Sequence, residues 1–199
     1  MKRTFRLHFI LFAFLAIPAA FAQGSGDGTL QDSRDGQVYE IVQIGSHWWM
    51  AENLNFDADN GSWGYSNSSE ACKIFGRLYN WETAIAACPS GWHLPSDKEW
   101  KDLERALGMS GQSLDQMGWR NIEIDLLYEE DKGMKILMGG YRPYGDGAFD
   151  DGFDDAYFWT STDKDKTDAW KRFLDDDRMQ MGRGYDNKMQ GFSVRCVKD

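Results

Sequence analysis

The sequence predicts one α+β domain behind a cleavable export signal. Two segments with helical periodicity lie in the first half of the chain, and the second half consists of short strand-like segments between polar loops. Removing the predicted signal, residues 1–22, from the 199-residue chain leaves 177 residues, a length typical of a single domain.

The first 22 residues have the three parts of a secretory signal peptide. Three basic residues open the chain before any acidic residue: Lys2, Arg3 and Arg6. An apolar run over 9–17 follows, and the small-x-small triplet over 20–22 predicts cleavage before Gln23. The run has about half of the roughly 20 residues needed to cross a bilayer, which favours a cleaved signal over a retained anchor. Residues 23–31 are predicted to form a flexible tether before a domain over 32–199.

The first elements of the domain are two predicted strands. The segment 38–44 is rich in β-branched and aromatic residues, and Gly45-Ser46 can turn the chain into a second strand over 47–50. Residues 57–70, which are rich in Asp, Asn, Ser and Gly, are predicted to form a loop.

A first helix is predicted over 81–87. Asn80 is well placed to cap its N-terminus, because the side-chain oxygen can accept a hydrogen bond from an unpaired backbone N–H. Residues at i, i+3, i+4 and i+7 define the face expected to be buried: Trp81, Ala84, Ile85 and Cys88.

A second helix is predicted from a capping box, in which Ser96 and Glu99 satisfy each other's backbone N–H groups. The helix is expected to run to about residue 107 and to end at Gly108. Its buried stripe is expected to consist of Trp100, Leu103 and Leu107.

The rest of the chain has weaker signals. Residues 108–135 are predicted to be mostly loop, with one short helix near 113–117. Strands are expected over four later segments: 135–142, 157–162, 169–174 and 191–197.

Composition excludes several classes of function. Without the signal, the chain has 19 basic and 32 acidic residues, a net charge of −13, and such a surface repels nucleic acid and anionic lipid. No later segment is apolar enough to span a membrane. All nine tryptophans lie beyond the signal, where most are expected in the core and exposed rings can stack on sugars. Only His47 and His93 remain, which is little material for a zinc site or a histidine-based triad, so no metal, cofactor or catalytic residue is predicted.

Six ordered blocks cover nearly the whole domain: 32–39, 49–55, 76–81, 88–97, 157–161 and 191–196. The longest block is Cys88-Pro89-Ser90-Gly91-Trp92-His93-Leu94-Pro95-Ser96-Asp97. In these blocks the sequence resembles the Fibrobacter succinogenes major paralogous domain, a family of exported bacterial domains. The resemblance implies architecture rather than chemistry, because the family has no established general activity.

The segment 81–107 also resembles the two-helix half of C-type lectin-like domains and a segment of formylglycine-generating enzymes, which share that fold. This likeness implies two helices packed on a small, twisted, mostly antiparallel sheet with long loops. It implies a bridge from Cys88, at the end of the first helix, to Cys196 in the last strand, which leaves Cys72 unpaired. Pairing of Cys72 with Cys88 remains open. The family resemblance also implies another cysteine a few residues before Cys72, around Gly64-Tyr65, and its absence from this sequence fits a lost local bridge.

The candidate chemical sites have structural explanations. The motifs with which C-type lectins bind sugar through calcium are absent, and the acidic loop over 146–155 matches no defined calcium loop, so a solvated turn is favoured. His93 is expected to satisfy buried backbone. Asp97 and Glu99 are expected to cap the second helix. Arg77 and Arg195 are expected to make ion pairs or carbonyl contacts.

The predicted function is that of an exported, non-catalytic recognition module in the periplasm, outside the cell or on the cell surface. Its loop face is expected to bind glycans, other cell-surface polymers or cell-surface proteins. Five aromatic residues in glycine-rich or polar loops are the candidate stacking residues: Trp63, Tyr65, Tyr141, Tyr144 and Tyr185. The alternative is a structural or adhesion component of the cell envelope with no small-molecule ligand.

Overall fold

The computed structural model describes residues 28–121, 133–145, 147–175, 177–178 and 180–199. Over these residues the chain forms two open β-sheets and three α-helices, which is an α+β arrangement as predicted. The predicted signal over 1–22 and the start of the predicted tether lie outside the described residues. None of the described helices is long and apolar enough to cross a membrane.

The smaller sheet has four strands and contains the predicted hairpin. Its strands pair antiparallel in the order β1 (Gly28–Gln31), β2 (Val38–Ile44), β3 (His47–Met50) and β13 (Val197–Lys198). Because β1 pairs with β2 over its whole length, the predicted tether over 23–31 is wrong for its last four residues. Leu30 packs against the hydrophobic core, which accounts for the pairing of this segment.

The larger sheet has nine strands. Its main path runs β4 (Ser62–Trp63), β5 (Leu78–Tyr79), β12 (Phe192–Ser193), β9 (Asp155–Asp163), β10 (Asp168–Asp175), β11 (Gln180–Asn187) and β6 (Gly118–Arg120). Strand β7 (Gly139–Tyr141) lies beside β9, and β8 (Asp150–Gly152) lies beside β7. The sheet is larger than the small sheet expected, and β9 has two parallel neighbours, β7 and β12.

Both predicted helices are confirmed, as α2 (Trp81–Ala87) and α3 (Asp97–Ala106). Asn80 caps α2 by accepting a hydrogen bond from a backbone N–H, and the capping box of Ser96 opens α3. The expected burial of Ile85 is wrong, because this side chain faces solvent and Ala87 is buried on the helix instead.

The predicted loop over 57–70 is wrong in part. It contains β4, a 3-10 turn over Tyr65–Asn67 and the start of a further helix, α1 (Ser69–Phe75). None of the seven residues of α1 is buried, so the sequence has no apolar period from which this helix could be predicted.

The strand predictions in the second half are confirmed most fully for β9 and β10. The segments 135–142 and 191–197 form shorter strands than expected. Strand β11 was not predicted, because its alternate glycines, Gly182 and Gly184, disfavour a strand when read locally. The short helix predicted near 113–117 is wrong, since these residues are stabilised by backbone hydrogen bonds of turns.

Helices α2 and α3 pack on opposite faces of strand β9. Trp100 of α3 belongs to the same buried cluster as Phe158, whereas Ala84 and Ala87 of α2 belong to a second cluster with Trp159. Because successive residues of a strand point to opposite faces of the sheet, the neighbouring Phe158 and Trp159 place the two helices on two sides.

Helix α3 is fixed to its face of the sheet by a buried network of charges. Glu104, which is fully buried, accepts hydrogen bonds from Arg120 of β6 and Arg172 of β10. Asp97 accepts hydrogen bonds from Arg172 and from Arg183 of β11, with nitrogen–oxygen distances of 2.8–2.9 Å. The expected capping role of Asp97 is therefore incomplete: its carboxylate joins the helix to two strands.

The charges around Asp97 set its protonation. Burial by itself raises the pKa of this carboxyl, but hydrogen bonds and charges from Arg183, Arg172 and Lys101 outweigh burial and hold the pKa well below its ordinary value. Asp97 is therefore ionised at neutral pH. Removing one partner of such a buried group leaves the others without a counter-charge, which is strongly destabilising.

Asp97→Asn is expected to lower the free energy of unfolding by about 3–5 kcal/mol at neutral pH, because the buried guanidinium of Arg183 loses its counter-charge and that of Arg172 keeps only Glu104. The pKa of Asp97 is lower in the folded state than the unfolded value of about 3.9. Its contribution is therefore complete above that pH and is lost as the pH falls toward the folded-state pKa. Urea unfolding of both proteins should show their difference shrinking below about pH 4.

Asp102→Asn is the matched control for this measurement. Asp102 lies on the same helix but pairs at the surface with Lys98 and Arg105, so its loss should cost less than about 1 kcal/mol. Equal losses in the two variants would contradict the role given to the buried network.

Cys88 and Cys196 form the disulfide that the resemblance implies, with Cα atoms 5.8 Å apart. The bridge joins the end of α2 to the segment before β13 and closes a loop of 108 residues. In the chain-entropy model a loop of this length contributes on the order of 4–5 kcal/mol to stability. Cys72 is the free cysteine, so its alternative pairing with Cys88 does not occur.

Gly64 lies where a bridging partner for Cys72 is expected. A Cβ atom placed on Gly64 would meet the Sγ atom of Cys72, and it would also approach the carbonyl oxygen of Ser68. The φ angle of Gly64 is −77°, which any L-residue adopts. This geometry agrees with the lost local bridge inferred from the sequence.

Gly64→Cys is expected to form a second disulfide with Cys72 after a small shift of the Ser68 carbonyl. A loop of this short length should contribute about 2–3 kcal/mol relative to an unbridged variant in the chain-entropy model. Alkylation of the unfolded, non-reduced protein should find no free thiol in Gly64→Cys and one in the isosteric control Gly64→Ser. Two reactive thiols in monomeric Gly64→Cys would show that the pair is misplaced.

Candidate functional site

Two of the five predicted stacking residues are held in aromatic contacts within the protein. The Tyr65 ring packs against Phe153, and its hydroxyl accepts a hydrogen bond from the backbone N–H of Gly152. The ring of Tyr141 lies 4.9 Å from that of Tyr157 and packs against the second buried cluster. Each ring is thus part of an aromatic cluster within the protein, not a freely exposed loop side chain.

Trp63 and Tyr144 contact polar side chains of the protein. The guanidinium of Arg142 lies 4.2 Å from the centre of the Trp63 ring and covers it. Tyr144 is exposed, and its backbone N–H donates to the side chain of Gln190. Trp63 is thus already paired with a cation, whereas Tyr144 faces solvent.

Tyr185 is exposed on strand β11. Its ring makes an edge-to-face contact with Trp170, with 5.9 Å between ring centres, and the Lys164 ammonium lies 5.2 Å from the ring. Within the described residues, each of the five predicted stacking residues thus contacts a different set of groups of the protein.

A row of aromatic side chains crosses four adjacent strands of the larger sheet. Tyr157 on β9 is the register partner of Phe173 on β10, Phe173 is the partner of Gly182 on β11, and Gly182 is the partner of Trp119 on β6. Directly opposed residues of neighbouring strands share one face of a sheet. Tyr157, Phe173 and Trp119 therefore stand on one face, and we call these three side chains the aromatic row.

Gly182 allows the rings of Phe173 and Trp119 to contact each other across β11. A Cβ atom at this position would collide with the phenyl ring of Phe173, which lies across the backbone of β11. With the glycine in place, the rings of Phe173 and Trp119 meet edge to face, with 4.6 Å between their centres. The aromatic row is therefore continuous from β10 to β6.

The aromatic row is partly exposed, since each of its three residues keeps some accessible surface. Helix α2 packs on the same face of the sheet, over Trp159, which is two residues beyond Tyr157 in strand β9. Helix α3 packs on the opposite face. The row consequently lies on the part of the sheet that the helices leave uncovered.

A cation flanks the row on one side. Lys171 lies two residues before Phe173 on β10, so both side chains point to the same face. Its ammonium lies 4.8 Å from the centre of the Tyr157 ring and pairs with Asp186 at 2.9 Å. The lysine is therefore held beside the rings by a cation–π contact and an ion pair.

Acidic residues flank the row on the other side. Asp155 and Asp175 are register partners on β9 and β10, and the Tyr157 hydroxyl donates to Asp155 and Asp151 at 2.7 and 2.9 Å. Burial, with these hydrogen bonds, raises the pKa of Tyr157, so its hydroxyl stays protonated. Burial also raises the pKa of Asp155, and the charges of Asp151 and Asp175 add to this effect. The Tyr157 hydroxyl thereby joins the acidic residues of this edge to the row.

A concavity of about 400 Å³ lies at the β6 end of the row. It is lined by the three rings of the row together with Lys171 and Gly184, and Tyr185 is the predicted stacking residue that reaches it. A second concavity, of about 380 Å³, lies beside Cys72. Its one aromatic ring, Phe56, is covered by the guanidinium of Arg34 at 3.6 Å, so it offers no open ring face.

Both predicted arginine contacts are present. Arg77 pairs with Asp57 near the surface. Arg195 is fully buried and donates to the side chain of Asn53 and to the carbonyl oxygen of Met50. Burial lowers the pKa of Arg195 to about 9, because its partners are neutral groups.

The remaining predicted site residues depart from expectation in detail. The His93 ring nitrogen Nε2 lies 2.7 Å from Glu99, so the predicted contact of the ring with buried backbone is wrong. The backbone of His93 pairs instead with Val197. In the acidic segment, Asp151 and Asp155 meet at the Tyr157 hydroxyl, and residue 146 lies outside the described residues.

Sequence reasoning missed the aromatic row because its three members come from three separate strands. A local signal does exist in the spacing of residues along β10 and β11. Lys171 and Phe173 are two residues apart, as are Gly182 and Gly184, so each pair lies on one face of its strand. The register that aligns these pairs across β9, β10, β11 and β6 depends on tertiary pairing, which the sequence alone does not specify.

Comparison with known proteins identifies one matching family. A family model described as the Fibrobacter succinogenes major domain matches residues 42–198. No curated protein and no solved structure matches the chain.

Proposed function

The chain belongs to the Fibrobacter succinogenes major domain family, and from that premise we propose that it is an exported, non-catalytic recognition domain that binds glycans through the aromatic row. One observation carries the proposal. Three partly exposed rings in register stand on the part of the sheet that the described helices leave uncovered, between Lys171 on one side and Asp155 and Asp175 on the other.

The chemistry of the row suits a carbohydrate. A sugar ring has apolar C–H faces, which pack on aromatic rings, and polar hydroxyl edges, which hydrogen-bond to charged groups. Lys171 and Asp155 supply such groups on the two sides of the rings. Both groups are held in place by partners within the protein, Asp186 for Lys171 and the Tyr157 hydroxyl for Asp155.

The length of the row favours a polymer. Neighbouring strands lie 4.7–4.9 Å apart, so a row that starts on β9 and ends on β6 spans about 14 Å. This distance exceeds the length of one sugar ring. The acidic composition of the domain disfavours strongly anionic polymers, so the proposed ligands are neutral glycans of a cell surface.

The finer fold and the location belong to the same proposal. We infer a C-type-lectin-like fold, because α2 and α3 follow each other directly and Cys88 at the end of α2 is bridged to Cys196 near the last strand. The disulfide also supports export, since such bridges persist in oxidising compartments. The proposed location is the periplasm, the medium or the cell surface.

A second candidate is a structural or adhesion component of the envelope without a small-molecule ligand. It is favoured by the internal contacts of the predicted loop rings, since Trp63, Tyr65 and Tyr141 pack against groups of the same chain. Under this alternative the loop aromatics stabilise the protein and recognise nothing.

The full chain is expected to bind at least one neutral oligosaccharide on a glycan array, and Trp119→Ala is expected to weaken that binding about tenfold or more, equivalent to about 1.4 kcal/mol. Trp119 lies on the edge strand β6, so the variant removes a ring face without opening the two buried clusters. Affinity is measured by titration calorimetry, and melting temperatures confirm that the variants fold.

Tyr144→Ala is the matched control, because it removes an exposed ring that lies outside the row. The affinity of Tyr144→Ala for the oligosaccharide should equal that of the parent chain. Loss of binding in Tyr144→Ala with full binding in Trp119→Ala would move the site to the loop face. Absence of binding to any glycan would favour the structural alternative.

A further inference from the structure

His47 and His93, the two histidines outside the predicted signal, meet in one side-chain cluster although they are far apart in the sequence. The cluster also contains Glu99 and Asp199. His47, Glu99 and Asp199 each offer one potential ligand atom, and these three atoms lie within 4.8 Å of one another. The Nε2 atom of His93 lies 2.7 Å from Glu99 Oε1. The cluster is separate from the aromatic row.

Backbone pairing brings this cluster together. Strand β13 pairs antiparallel with β3, with Lys198 opposite Trp48, so the next step of the register places Asp199 beside His47. Val197 of β13 also pairs through its backbone with His93. Three chain segments therefore converge here.

Glu99 is held in place by the capping box of α3. Its Oε2 atom accepts hydrogen bonds from the backbone N–H and the hydroxyl of Ser96, both at 2.7 Å. Its Oε1 atom remains directed toward His93. The carboxylate is therefore fixed before any ligand arrives, and one of its two oxygens faces the cluster.

The ring of His47 carries the second, independent observation. Its Nδ1 atom is buried and makes no hydrogen bond to any part of the chain that the structure describes. The nearest carboxylate oxygen, Asp199 Oδ1, lies 3.4 Å away on an exposed side chain. A buried polar atom without a partner is costly, so this geometry points to a ligand that completes the coordination of Nδ1.

We propose that His47, Glu99 and Asp199 form a binding site for a divalent transition-metal ion, of which Zn²⁺ is the representative. A neutral imidazole and two carboxylates carry two negative charges, which balance a divalent cation. The imidazole nitrogen favours zinc and its neighbours in the first transition series over Ca²⁺ and Mg²⁺, which take oxygen ligands.

His93 is a positioning residue in this site. Its ring nitrogen holds Glu99 Oε1 from outside the ligand set, which is the common arrangement of groups that orient a metal-binding carboxylate. Bound metal ties β3 and β13 to the start of α3. The site therefore links the smaller sheet to the helix that packs on the larger sheet.

The test is calorimetric titration of ZnCl₂ into the untagged full chain, stripped with EDTA and carrying Cys72→Ala so that the free thiol does not compete. We expect saturable binding of one ion and a rise in melting temperature. MgCl₂ is expected to give neither. Cobalt substitution should give visible absorption bands that report the coordinating groups.

Variants locate the ion. Asp199→Asn removes an exposed ligand and should leave the fold intact while weakening zinc binding at least tenfold, and His47→Gln should weaken it further. His93→Gln should weaken binding 10–100-fold, as is typical for groups that orient metal ligands. Asp59→Asn is the matched control, an exposed carboxylate outside the cluster, and should bind as the parent does.

Two results would overturn the proposal. One is the absence of saturable zinc binding by the folded parent chain. The other is an unchanged affinity in both Asp199→Asn and His47→Gln, which would place the ion elsewhere. Because Asp199→Asn alters only an exposed side chain, a folding defect in His47→Gln would still leave the site testable.

Discussion

The fold depends on the two carboxylates that neutralise the buried guanidinium of Arg172. Its two carboxylate partners, Asp97 and Glu104, both come from α3. Glu104 also binds Arg120 of β6, and Asp97 also binds Arg183 of β11. An arginine in this environment is stable only while its partners are in place. The network therefore decides which face of β10 and β11 is covered by helix.

That choice also decides what lies on the opposite face. Arg172 and Leu174 point toward α3, so Lys171 and Phe173 must point away from it, because side chains alternate along a strand. Among the described residues, helix α2 packs on this second face over Trp159. The aromatic row lies beside it, on a part of the face that neither α2 nor α3 covers.

The elements that depend on local chemistry could be predicted from the sequence, and those that depend on register could not. Asn80 and Ser96 mark helix starts through hydrogen bonds to residues three positions away, so α2 and α3 were predictable. The glycines of β11 argue locally against a strand, and their role is visible only when Phe173 lies over Gly182. The proposed metal site also depends on tertiary pairing, because β13 pairs with β3 and with His93 and so places Asp199 and Glu99 close to His47.

The central claim is that the open sheet face, rather than the loops, recognises a glycan. The indole N–H signals of the nine tryptophans in a ¹H–¹⁵N spectrum test it directly, during titration with a pool of neutral oligosaccharides. The account predicts a saturable shift of the Trp119 signal, with the signals of the fully buried Trp49, Trp100 and Trp159 unchanged. A saturable shift confined to Trp63, or no shift of any indole signal, would contradict it.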